Sequence, residues 1–178
     1  TIVTARQLRN LRYRRIRPED WRRLQRFHRR LSRMTVELRF HGAKRELSVP
    51  LAHRLSDLDG KDDVGIVATT GTRGRIVAVG RYSRLSPTSA EVAFVVEDAY
   101  QHHGIGHRLL ERLRRTALEQ GITTFVAEVM PGNLPMIKLL DSAGPTHVRL
   151  AGGVSEIVLD LAPIQRGPQS PAVSVPPA

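Results

Sequence analysis

One stretch constrains this chain more than any other: Ala90-Glu91-Val92-Ala93-Phe94-Val95-Val96, followed by Gln101-His102-His103-Gly104-Ile105-Gly106. The first part reads as a buried strand, and the second as a glycine-bearing turn that opens a helix. Arg108, Leu109, Leu110, Glu111, Leu113, Arg114 and Leu118 continue at helical spacing. Such a turn leaves backbone N–H groups without partners at the positive end of the helix, an arrangement suited to a phosphate. A single carboxylate, Glu91, interrupts the apolar strand that leads into it.

The remaining pattern places this unit in a mixed sheet. Residues 1–11 read as a flexible or weakly helical basic arm. Tyr13–Arg17 is a short strand that must stop before Pro18. Asp20 is placed to cap a helix with Trp21, Leu24, Phe27 and Leu31 on one face and arginines on the other. Thr35–Leu47 reads as loop, and Pro50 begins a short helix with Leu51, Leu55 and Leu58 inward. Asp63–Thr70 and Arg75–Arg84 flank Gly71-Thr72-Arg73-Gly74 as a hairpin. After the strand Ala90–Glu97, the helix from Gly104 runs to about Gln120 and stops at Gly121. Ile122–Met130 is a strand and Asn133–Ser142 a helix. His147–Leu150 and Val154–Leu161 form a closing antiparallel pair. The tail 163–178 is Pro-rich and expected to be disordered. The order gives an α/β (α+β) fold, with one domain over 12–162.

Composition narrows the setting. A chain of 178 residues with 40% hydrophobic content can bury a sizeable core. It has no apolar run long enough to span a bilayer and no secretory leader pattern. Zero cysteines exclude disulfides and thiolate metal sites and fit a cytoplasmic location. The net charge of +11 is uneven: Arg6–Arg45 holds fifteen Lys/Arg against Glu19, Asp20 and Glu37. Such a face attracts polyanions. No nucleic-acid-binding motif accompanies it, and Tyr13, Trp21, Phe27 and Phe40 read as core residues, so nucleic acid is not the expected partner.

Element order and motifs resemble the GNAT superfamily of coenzyme A-dependent N-acetyltransferases over roughly Arg12–Leu161. Gln101-x-x-Gly104-x-Gly106 matches the family's Q/R-x-x-G-x-G/A signature in its proper place between strand and helix. Within the superfamily the chain is similar to bacterial protein lysine acetyltransferases that act on acyl-CoA synthetases. That similarity rests on Arg17-Pro18-Glu19-Asp20, Leu38-Arg39-Phe40-His41-Gly42-Ala43-Lys44, Asn133-Leu134-Pro135-Met136 and the Glu91 strand. It implies a mostly antiparallel mixed sheet of six to seven strands with flanking helices. Acetyl-CoA would be the co-substrate, with no metal. Relatives are often fused to a regulatory or synthetase-like domain.

The chemistry follows residue by residue. A free lysine titrates at about 10.4, so acyl transfer to it needs a proton acceptor. Strand alternation puts Glu91, Ala93 and Val95 on one face and Val92, Phe94 and Val96 on the other. A carboxylate isolated among such neighbours holds a proton more readily, which suits a general base. The resemblance assigns Glu91 that role; a salt-bridged glutamate at the strand's mouth is the plainer reading. By the same resemblance, backbone groups of Phe94, Val95 and Val96 pair with the pantetheine arm and polarise the thioester. Gln101, His102, His103, Gly104, Ile105, Gly106 and His107 would hold the diphosphate. The family often has Gly-Arg or Gly-Lys where this chain has His102-His103, so a permanent cation is missing. His103 and His107 lie four apart, but no third metal ligand accompanies them. Asn133 either contacts the coenzyme arm or caps its helix. Leu140 stands where many members carry a tyrosine acid, which leaves water to reprotonate the thiolate. His41 borders the acceptor channel as a possible second base.

The leading expectation is an acetyl-CoA-dependent enzyme acetylating lysines of an acidic protein surface, such as that of an acyl-CoA synthetase. A small-amine N-acetyltransferase shares its mechanism. A non-catalytic acyl-CoA sensor or basic interaction module does not explain a carboxylate in that strand.

Overall fold

The computed structural model describes residues 3–40, 46–130, 132–151 and 154–161. Seven strands form one sheet: β1 (Arg12–Arg15), β2 (Asp63–Thr70), β3 (Arg75–Arg84), β4 (Ser89–Val96), β5 (Thr124–Val129), β6 (Thr146–Ala151) and β7 (Val154–Asp160). Their spatial order is β1-β2-β3-β4-β5-β7-β6. Every neighbouring pair is antiparallel except β4 and β5. The helices are α1 (Ala5–Arg9), α2 (Trp21–His28), α3 (Arg33–Phe40), α4 (Val49–Ser56), α5 (Ile105–Glu119) and α6 (Leu134–Asp141).

Alternation along the strands divides the core into two layers. Val64, Ala78, Tyr82, Val92, Leu109, Leu113 and Phe125 belong to the larger cluster, which α5 covers. Leu24, Phe27, Leu47, Ala52, Val67 and Ile76 form the smaller one, beneath α2 and α4. α5 fits its sheet face because Leu109, Leu110, Leu113 and Ala117 recur at helical spacing and are fully buried. Gly80 lets this layer close up: a Cβ there would lie 2.9 Å from the Phe94 ring and 3.1 Å from Leu113.

Three expectations need correction or refinement. The first concerns Thr35–Leu47, read as loop, whose beginning belongs to α3. Ser32 and Thr35 start that helix. Asp98 accepts from the Ser32 amide at 2.9 Å and the Thr35 hydroxyl at 2.8 Å, and the Ser32 hydroxyl also donates to it. Val36 is buried below it. The second concerns Asp20, which precedes α2 without capping it. Its carboxylate, 1% exposed, instead takes both terminal nitrogens of Arg14 at 2.6 and 2.9 Å, Arg23 at 3.1 Å and the Arg17 amide at 3.0 Å. It ties β1 to α2, so two guanidiniums and the Arg17 amide take the place of a cap on α2. The third concerns the N-terminal arm, which carries α1. Thr4 and Gln7 form a reciprocal cap, and Leu8 and Leu11 pack on the larger cluster. Among the described residues no helix is long and apolar enough to cross a membrane. The tail 163–178 and His41 lie outside the described residues.

Candidate active site

β4 and β5 run together for only three residues each. Ser89, Ala90 and Glu91 pair with Thr124, Phe125 and Val126, after which β4 pairs only with β3, and β5 only with β7. The sheet therefore opens immediately beyond Glu91. Backbone groups of the rest of β4 point alternately toward β3 and into this opening. The Glu97 amide donates to the Val77 carbonyl at 2.9 Å, which fixes the phase. Ala93 and Val95 turn their N–H and C=O toward β3, as Glu97 does its N–H, while Phe94 and Val96 turn theirs into the opening.

This geometry separates the three residues expected to serve a thioester arm. Phe94 and Val96 present backbone groups to the opening. Val95 does not; its side chain lines the cleft on the opposite sheet face. The Val96 carbonyl is already taken by the Gln101 side-chain amide at 3.0 Å. That amide also reaches the Thr35 hydroxyl at 3.3 Å, and the Gln101 backbone N–H donates to Asp98. Gln101 thus holds the loop against β4 and α3 and has little left to offer a phosphate directly.

The loop itself has the shape the sequence suggested. His102 and Gly104 both adopt left-handed backbone angles, φ 62° and 71°. The first helical bond of α5 runs from the Arg108 amide to the Gly104 carbonyl at 3.1 Å. The amides of Gly104, Ile105, Gly106 and His107 therefore lie before the helical ladder begins, at the positive end of a four-turn helix. His102, His103, Gly104 and His107 are exposed, and Ile105 is buried beneath them as an anchor. Gly106 serves packing: a Cβ would lie 3.3 Å from Leu139 of α6. Asn133 caps α6, accepting from the Met136 amide at 3.3 Å, which leaves its side-chain NH2 available to a ligand. Leu140 is fully buried in the larger cluster.

Glu91 stands at the mouth of the opening, on the face shared with Ala93 and Val95, but it is exposed. The apolar isolation expected from the sequence is absent, because the strand ends its pairing with β5 at this residue. The surroundings are cationic. Ser83 lies directly across from Glu91 on β3, and Arg81 across from Ala93. The charge of Glu91 acts on both Arg81 and Arg39. Burial pushes the Arg39 guanidinium down to about 10, and the neighbouring Arg81 charge adds to that; burial likewise lowers Arg81. Arg39, Arg81, His28, Ala93 and Val95 line a cleft of about 540 Å³, counting its open mouth. Burial also pushes the His28 imidazole below its usual value. Neither arginine was singled out from the sequence. The available signal was Arg81 itself, a charge inside an otherwise apolar strand, the same pattern that marked Glu91.

The model of the acetyltransferase (GNAT) family matches residues 15–144. The chain belongs to the GNAT acetyltransferase family. It has the family's fold. It is 34% identical over 139 residues to the acetyltransferase Pat of Mycolicibacterium smegmatis, a match covering 77% of this chain and 41% of that protein. The chain thus spans less than half the length of that relative. The solved GNAT domain of S. lividans PAT is 35% identical, covers 84% of this chain and 90% of that one, and superposes with a TM-score of 0.79. A cAMP-binding acyltransferase from Mycobacterium smegmatis is 29% identical, with a TM-score of 0.61 over 90% of this chain and 46% of that chain.

Proposed function

We propose that this GNAT domain transfers an acetyl group from acetyl-CoA to lysine side chains of a protein, by direct attack of the amine with Glu91 as proton acceptor. The observation that carries this reading is the sheet opening between β4 and β5, which sets Glu91 at its mouth and the amides of 104–107 beyond its far end. Acetyl-CoA fits the chain's own groups. The amides before α5 offer donors to the diphosphate, and those of Phe94 and Val96 offer donors to an extended arm laid along β4 as an added strand. A donor aimed at the thioester oxygen would stabilise the charge that develops there. Glu91 takes the proton of the incoming ammonium, directly or through water, since its exposed side chain meets solvent. Leu140 offers no proton to the departing thiolate, which leaves that step to water.

The similarity to Pat proteins supports a protein acceptor, and an acyl-CoA synthetase is the substrate we propose. The basic face of α2, with Arg22, Arg23 and Arg26, and Arg29 just after it, would favour an acidic surface around the target lysine. Thiol release from acetyl-CoA tests the reading, with an acyl-CoA synthetase as acceptor and native protein compared with Glu91→Gln. Turnover should fall at least a hundredfold at neutral pH and recover partly as pH rises, when the amine loses its proton unaided. Full turnover in the variant across pH would remove Glu91 from the mechanism.

A further inference from the structure

β3 and α3 bring two guanidiniums into one cleft, on the sheet face that Glu91 shares with Ala93 and Val95. Arg81 lies across from Ala93, one step along the same face from Glu91, and the small Ala93 side chain leaves room beside it. Arg39 enters the same cleft from α3. The two charges repel each other, and both are drawn from water. Among the described residues, the Glu91 carboxylate acts on both guanidiniums and the Asp63 carboxylate on Arg81. Asp63 sits 3.8 Å from Arg81, accepts the Ser83 hydroxyl and remains 45% exposed. Arg81 reaches the Ser83 hydroxyl only at 3.4 Å. The rest of the lining is largely apolar, including Leu31, Leu47, Val79 and Val95. A planar guanidinium binds a carboxylate through paired hydrogen bonds, and does so more strongly in such a poorly hydrated setting.

We propose that Arg81 and Arg39 form a carboxylate-binding subsite beside Glu91, which selects a reactant carrying a carboxylate close to the reacting group. That carboxylate belongs either to an acidic residue flanking the acceptor lysine or to the free end of a dicarboxylic acyl thioester. The inference rests on the acyl-transfer reading above and adds the chemistry by which substrates are chosen.

The test uses the whole chain, thiol release and three lysine peptides, in which the lysine is flanked by Glu, Ala or Arg. Each is assayed with acetyl-CoA, and the Ala peptide is also assayed with succinyl-CoA. The native protein should favour the Glu peptide over the Ala peptide at least tenfold in kcat/KM, the size expected of a hydrogen bond to a charged group. An equal preference for succinyl-CoA, without one among peptides, assigns the carboxylate to the donor. Arg81→Gln and Arg39→Gln should each bring the ratio toward one, and Arg81→Glu should reverse it toward the Arg peptide. These ratios are taken within a single preparation, so partial misfolding does not alter them. Equal rates with all peptides and both donors, or ratios that survive both Arg81 substitutions, would overturn the subsite. If thiol release from the Ala peptide persists in that case, acyl transfer stands without it. No transfer to any peptide would overturn both.

Discussion

Glu97 is the residue whose loss should most sharply reveal how the loop is held. It is 6% exposed, and its carboxylate accepts from Arg30 Nε at 3.1 Å and from Arg75 Nη2. Arg30 reaches on to the Ile76 carbonyl at 2.6 Å, so the cluster joins the end of α2 to the start of β3, next to the strand end that carries the loop. Glu97→Gln keeps the shape, removes the charge and turns one acceptor into a donor facing a donor. A hydrogen bond to a charged group contributes about 1.5–3 kcal/mol. Both guanidiniums are partly exposed, at 30% and 45%, and can be rehydrated, so the low end applies to each. The expected loss is about 2–3 kcal/mol, or roughly 5–10 °C in Tm for a chain of this size. Glu37→Gln is the control, since its partner Arg33 is 83% exposed and losing a solvent-screened pair should barely change stability. Urea unfolding of both variants measures the difference at constant slope. If Glu97→Gln cost no more than Glu37→Gln, the cluster would not be holding the loop.

Other expectations follow from the same contacts. Gly104→Ala meets no neighbour within 4 Å, so its cost is the left-handed backbone alone, about 1 kcal/mol of stability by thermal melting. Because the substitution also strains the phosphate turn, acetyl-CoA affinity by calorimetry should fall several-fold. Acid should weaken the fold through two carboxyls. Burial pushes Asp20 up, but Arg14 and the Arg17 amide outweigh it; burial pushes Asp98 up, but Ser32 and Thr35 outweigh it. Both end below their ordinary value. The unfolded chain therefore binds the extra protons, and the stabilisation present above about pH 4 is lost as pH falls through the folded values. Chemical denaturation from pH 6 to pH 3 should show this slope, reduced in Asp20→Asn. His28 acts in the same direction at higher pH. Its buried imidazole resists charging, so stability should decline as pH drops below about 6.5, and His28→Gln should flatten that decline.

Much of the fold was legible because local signals agreed with the tertiary outcome. β2 and β3 fall on Asp63–Thr70 and Arg75–Arg84, where apolar runs flank a turn with left-handed Gly71 and Gly74. α5 begins at Ile105 behind left-handed Gly104, as the glycine spacing required. α3 was not legible, because the carboxylate that organises its first turn lies 66 residues away from Ser32. Asp20 misled for a similar reason: a good cap residue found stronger partners in Arg14 and Arg23. At the site, the residue types were readable but not their directions. Whether Val95 or its neighbours face the opening depends on the pairing phase with β3. The exposure of Glu91 depends on where β5 departs. Arg39 could not be placed beside it without α3.

Binding of acetyl-CoA in the sheet opening between β4 and β5 is measured most directly by a crystal structure with the coenzyme bound. The diphosphate should lie within hydrogen-bond distance of the amides of residues 104–107, with the arm paired to backbone groups of Phe94 and Val96 and the thioester near Glu91. A coenzyme bound elsewhere, or an arm paired to the Val95 backbone, would contradict it.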